Sequence, residues 1–207
     1  MKKHIIWFIL LLLAIATTYI FVPRPYQVHW HANFALYMSG ELVDFSGNEY
    51  MEETSRCNVT TDVRPEDRIH LHDNKGGLVH VHMAGSTWGD LFSNLSWSLG
   101  QYHMADIIGN IYQPTSENKL IYLINGKPVM NPVNELVKST DRLLVWYGTG
   151  TEEEIVKKWE SLVPKDADEY NHKPDPAACG SNSYGWLTPI AEPLMNLKEK
   201  LFHSHDE

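Results

Sequence analysis

Residues Arg68–Ala84 read RIHLHDNKGGLVHVHMA, and the fold is decided by how this stretch is parsed. It holds two His-x-His pairs, His70/His72 and His80/His82, around Asp73-Asn74-Lys75-Gly76-Gly77. The central residues are turn chemistry, because Asn and Gly readily adopt positive φ. On either side the alternation is strict. His occupies positions 70, 72, 80 and 82, and Ile69, Leu71, Val79 and Val81 fall between. Period two is the signature of half-buried strands, and two such runs around a Gly-containing loop predict a hairpin. A three-residue loop at Lys75-Gly76-Gly77 would pair His72 with His80 and His70 with His82. All four imidazoles then share one face and Leu71 pairs with Val81 on the other. A slip of one residue would destroy both patterns.

Such a face has two explanations. Neutral imidazole is a common metal ligand, and HxH on a strand aims two rings the same way. Alternatively the rings are polar strand residues bonded to backbone, water or one another. The motif recurs upstream as His29-Trp30-His31, which favours metal. Crowding also disfavours protonation, and neutral imidazole is the form that ligates. Six rings exceed a four-coordinate shell, so either two ions bind or some rings act as supports.

Working outward, Tyr26–Ser46 alternates Trp30, Ala32, Phe34, Leu36 and Met38 with His29, His31, Asn33, Ala35 and Tyr37. Ser39-Gly40-Glu41 turns this strand into a second hairpin, with His29 and His31 on its more polar face. Residues 47–67 form a polar, irregular connection. Thr87-x-x-Asp90 before Leu91, Phe92 and Leu95 predicts a capped core helix over 87–95. Ala105–Tyr112 suggests a helical turn, with His103 a surface or core residue. Lys119–Ile124 is a strand, Asn125-Gly126 a hairpin turn, and Asp141–Tyr147 a last core strand. Thr151–Leu162 reads as a helix with Thr151 at its N-cap and acids in its first turn. From Pro164 the composition turns to loop, apart from a short amphipathic stretch over 193–202. The terminal His203 and His205 read as solvated.

The first 25 residues place two lysines before an apolar run from Ile5 to Val22, closed by Pro23-Arg24-Pro25. This pattern predicts a single-pass anchor with its N-terminus inside, or a signal cleaved after Ala16. Either places the remainder outside the cytoplasm, in the cell membrane or secreted. The expected organisation is an anchor over 1–25, a β-rich HxH domain over 26–150 and a helical, Pro/Asp-rich extension over 151–207. Net charge is −9, which leaves no basic footprint for nucleic acid. Cys57 and Cys179 are the only cysteines, and in that compartment they predict one disulfide. No CxxC is present. Asn58-Val-Thr and Asn94-Leu-Ser match the glycosylation sequon.

The ordered set WHANFALYMSGELVDFS, RIHLHDNKGGLVHVHMAGSTWGDLF, IYLINGKPV and DRLLVWYG resembles a poorly characterised family of small secreted or membrane-anchored HxH proteins of archaea and uncultured bacterial lineages. The resemblance spans residues 28–150. Some members carry a protein-disulfide isomerase label, an activity built on the CxxC chemistry that this chain lacks. The ending, a strand, an NG turn, a short strand and D-R-x-L-x-V, is similar to β-grasp domains. The expected class is therefore α+β: a β-rich, β-grasp-like core of hairpins with one packed helix.

No GxSxG, HExxH, P-loop or GxGxxG motif occurs. The leading functional expectation is a membrane-anchored copper- or zinc-binding module with metal ligands among His29, His31, His70, His72, His80 and His82. One alternative is a metalloenzyme with an open coordination position and Asp73 or Asp90 nearby; another is a metal-free structural domain. Imidazole suits Zn and Cu alike, and Met38 or Met83 would soften a site toward Cu(I). The protein partner and the oligomeric state are not legible.

Overall fold

A computed structural model describes residues 27–52 and 64–173, together with Trp7 and Leu11. The described chain is a strand-rich α+β fold. Its main sheet has seven strands: β1 (Gln27–Met38), β2 (Glu41–Leu42), β3 (Ile69–His70), β4 (Leu78–Met83), β8 (Lys119–Ile124), β9 (Lys127–Val129) and β10 (Arg142–Gly148). The order is β3-β4-β1-β10-β8-β9, with β2 paired to β1. β1 and β10 run parallel at the centre, and antiparallel pairs flank them. A second, three-stranded sheet comprises β5 (Ser98–Leu99), β6 (Met104–Ala105) and β7 (Ile111–Tyr112). The helices are α1 (Pro65–Arg68), α2 (Trp88–Asn94), α3 (Glu152–Leu162) and α4 (Ala167–Asn171).

Strand parity assigns the two faces. Ala32, Phe34 and Leu36 of β1, Val79 and Val81 of β4, and Leu143 and Val145 of β10 lie on one core with Ile69 and Leu71. Onto it α2 lays Trp88, Leu91 and Phe92, and Phe45 and Trp97 fill the gaps edge-on. The α2 start is fixed as its sequence predicts: Thr87 Oγ1 accepts from Asp90 N–H at 3.1 Å, and Asp90 Oδ2 accepts from Thr87 N–H at 2.8 Å. Gly89 lets this helix touch the chain before β10, since a Cβ there would meet Val133 O at 2.6 Å.

The opposite face is divided. Ala35, Ile121, Leu123 and Leu144 form a second core closed by Ile155 of α3 and by Val163. Arg142 fastens the end of α3, donating to the carbonyls of Val163 and Pro164 and to Glu160 Oε2, with its guanidinium 4.2 Å above Trp159. The remainder of that face carries His29 and His31 of β1 with the histidines of β3, its following loop and β4, and α4 lies across β1 beside it. Asn33 seats α4. Fully buried, it accepts from Ala167 N–H at 2.9 Å and donates to Asp166 Oδ1 at 2.7 Å and Gly77 O at 3.0 Å.

Two expectations are corrected. The hairpin register is displaced by two residues: His70 pairs with His80 and Ile69 with Val81. β3 therefore ends at His70, and Leu71–Gly77 is the connection. Positive φ falls on Asp73 (58°) and Asn74 (56°) rather than on the glycines, and turns close from Lys75 N–H to His72 O and from Leu78 N–H to Lys75 O. Gly76 serves a different purpose, since a Cβ there would lie 2.6 Å from the Phe45 carbonyl carbon. Because the displacement is even, every histidine keeps its face. The second correction is Ala105–Tyr112, which is a β6–β7 hairpin and not a helical turn. Asp106 caps its loop by accepting from Ile108 N–H, Asn110 N–H and Tyr112 O–H. The apolar run over 5–22, Cys57, Cys179, His203 and His205 lie outside the described residues. Among those described, no helix is long and apolar enough to cross a membrane.

Candidate metal centre

β4 is the middle of the site because it pairs with both other histidine-bearing segments. His80 stands opposite His31 on one side and His70 on the other. A bulge in β1 between Gln27 and Trp30 sets two residues against one, and His29 stacks on His82 at 5.1 Å. Six rings thus form one continuous array. Further centroid separations are 4.9 Å for His29/His31, 4.3 Å for His31/His80, 4.9 Å for His70/His82, 5.7 Å for His70/His72 and 3.4 Å for His72/His80.

His29, His31 and His80 each offer a ring nitrogen, and these nitrogens lie within 4.8 Å of one another. Within that trio His31 Nε2 and His80 Nδ1 are 3.0 Å apart. Two nitrogens on one tetrahedral ion are separated by roughly 3.3 Å when each bond is about 2.0–2.1 Å. This buried cluster can hold a metal ion.

The rings are aimed by neighbours. His31 Nδ1–H donates to Asn171 Oδ1 at 2.9 Å, and the same oxygen accepts from the His31 backbone N–H at 2.7 Å. Asn171 is held in turn by donating to Ser139 Oγ at 3.0 Å. That tautomer leaves a lone pair on His31 Nε2, pointing into the array. His70 Nδ1–H donates to Glu66 O at 2.7 Å. His72 Nδ1 lies 3.1 Å from Asp73 Oδ2, an electrostatic contact rather than a formed hydrogen bond.

Among the described residues, the buried Nε2 atoms of His70, His72, His80 and His82 have no hydrogen-bond partner. Leaving such an atom unsatisfied costs about 1–3 kcal/mol. Protonation does not relieve it at His70, His80 or His82. Burial first, and then the neighbouring rings, hold His82 down to about 2 and push His80 below the ordinary imidazole range, and burial lowers His70 against the opposing bond to Glu66. Neutral rings with bare, inward nitrogens are the protonation state that ligates.

The remaining candidates lie elsewhere. Asp90 is committed to the α2 cap. Met38 packs against the apolar core on the other face, and Met83 falls out of phase with His80 and His82, so neither supplies a soft ligand by strand parity. His103 sits beside Gly100 in the connection between β5 and β6. The supports Asn171, Asn33 and the Glu66 carbonyl escape a reading of the sequence. α4 spans five residues and has no apolar period, and a carbonyl acceptor has no side-chain signature.

Comparison of the chain with protein-family models, with curated proteins and with solved structures finds no match.

Proposed function

We propose that this chain is an extracytoplasmic metal-binding module, tethered by its N-terminal apolar segment, that carries Zn(II) or Cu(II) on His29, His31 and His80. The observation that carries this reading is the convergence of three ring nitrogens within 4.8 Å inside a buried array. The nitrogen-only ligand set favours ions of intermediate softness over Cu(I), which prefers thiolate or thioether. The Lys-flanked run over 5–22 supports the anchor and N-in orientation. Parallel β1 and β10 between flanking hairpins support a β-grasp-like core, and the HxH family resemblance rests on the same segments. The close seat of α4 over His31 favours holding an ion over turning over a substrate.

The test is metal content. Full-length chain purified without chelator and dialysed against trace Zn(II) or Cu(II) is expected to retain metal by elemental analysis. His31→Asn with His80→Asn is expected to lose the tight ion while circular dichroism stays unchanged, since both side chains leave the apolar core untouched. Equal, weak binding by wild type and variant would overturn the reading.

A further inference from the structure

The three-histidine centre accounts for only half of the array. His70, His72 and His82 are outside it, and they too turn buried ring nitrogens into the array. His70 and His72 are only 4% and 2% exposed, and His82 is largely buried. Each presents a buried Nε2 without a hydrogen-bond partner among the described residues.

One of these rings, His70, also has its other nitrogen engaged, as second-layer contacts engage a metal-binding histidine. The Glu66 carbonyl takes the His70 Nδ1 proton at 2.7 Å, which leaves the lone pair on Nε2. The Asp73 carboxylate stands 3.1 Å from His72 Nδ1, an electrostatic contact without a formed hydrogen bond. The left-handed backbone of Asp73, with φ 58°, holds that carboxylate beside its own neighbour.

Ring spacing is the second, independent observation. A metal–nitrogen bond is about 2.0–2.1 Å, so two imidazole centres on one tetrahedral ion are roughly 5 Å apart. His70 and His82 are separated by 4.9 Å with planes inclined 31°, and His70 and His72 by 5.7 Å with planes inclined 51°. The pairs of the first trio stand at 4.3, 4.9 and 6.3 Å, a range that takes in both of these separations.

We propose that His70, His72 and His82 hold a second metal ion of the same class, so that the array binds two. The inference rests on the metal-binding reading and extends it from a mononuclear site to a paired one. His80 lies between the two, opposite both His31 and His70. The pair of HxH motifs in Arg68–Ala84 and the third in β1 then have a common purpose: β1, β4 and the segment from β3 into its following loop each aim two rings and furnish ligands for two ions.

The experiment is stoichiometry with Zn(II) alone on the full chain, by equilibrium dialysis and elemental analysis. Wild type is expected to bind two tight zinc ions per chain. His70→Asn with His72→Asn is expected to retain one, and His29→Asn with His31→Asn to retain the other. Two ions in wild type and one in each variant supports the proposal. One ion in wild type, or two ions kept by the His70/His72 variant, overturns it while leaving the first site standing. No tight zinc in wild type overturns the metal reading itself. Should the His70/His72 variant not fold, the wild-type count alone decides, because a single tight ion excludes a second site.

Discussion

The face of the main sheet opposite α2 is two surfaces laid side by side, and β1 runs beneath both. Its residues there are His29, His31 and Asn33, then Ala35 and Tyr37. Over the second part, α3 buries Ile155 against Ala35, Leu123 and Leu144. Over the first part, α4 offers Asn171 to His31 and sets Tyr170 beside it. The apolar half makes no directional demand, so burial alone stabilises it. The histidine half contains buried nitrogens that need partners, and each unmet one costs about 1–3 kcal/mol. Domains have only about 5–15 kcal/mol of net stability, so four such atoms are a large burden. One half is built to hold the fold together; the other carries buried nitrogens that a bound ion would satisfy.

The largest expected effect lies in the apolar half. Leu144, fully buried between Ala35 on β1 and Leu123 on β8, touches no histidine by strand register. Leu144→Ala is expected to destabilise the chain by about 2–5 kcal/mol through lost burial and a residual cavity. Urea unfolding measures this, and zinc content of the folded fraction should not change. A parallel loss of metal would show that the two halves are not separable.

How much of this division the sequence discloses follows from which signals are local. Period two is local, so the histidine face, the apolar face behind it and the β8–β9 turn at Asn125-Gly126 are all legible. Strand neighbours are not local. Nothing in Arg68–Ala84 says that β4 has β1 on its far side, which brings His31 to His80. The register failed for a similar reason. Two adjacent glycines suggest the tightest turn, whereas tertiary packing against Phe45 uses Gly76 for close approach and moves positive φ to Asp73 and Asn74. Asn171 was invisible because it lies 140 residues from His31 in a helix too short to show periodicity.

That distant residue gives the next prediction. Asn171 Oδ1 accepts both N–H groups of His31, so it fixes the ring's tautomer and direction. Removing such a support typically lowers metal affinity about 10–100-fold. Asn171→Ala is expected to weaken Zn(II) binding by that factor in a competition titration. Asn171→Asp, which keeps the acceptor oxygens, is expected to recover most of the affinity. An unchanged affinity in Asn171→Ala would mean that strand geometry alone orients His31.

The smallest effect, per unit of condition changed, is in the response to acid. Burial holds His82 at about 2 in the folded chain, and His70 and His80 are displaced the same way. In the unfolded chain each ring titrates near 6.5. Between these values the unfolded state binds protons that the folded state refuses, so stability rises with pH. The contribution is complete well above pH 6.5 and is lost as pH falls, for His82 by up to about 1.4 kcal/mol per pH unit. The carboxyls held low by their partners, Asp67 and Asp106, act only below their unfolded values, about pH 4. The interval from pH 6.5 to 5 therefore isolates the histidines. Metal-free chain, unfolded in urea in the presence of chelator, is expected to lose stability across this interval, and His82→Gln to lose less. Zinc-loaded chain should hold its stability to lower pH, because protons must first displace the ion. A flat metal-free profile would mean that the rings accept protons while folded. The histidine half would then be wet and polar, and the contrast with the apolar half would reduce to composition.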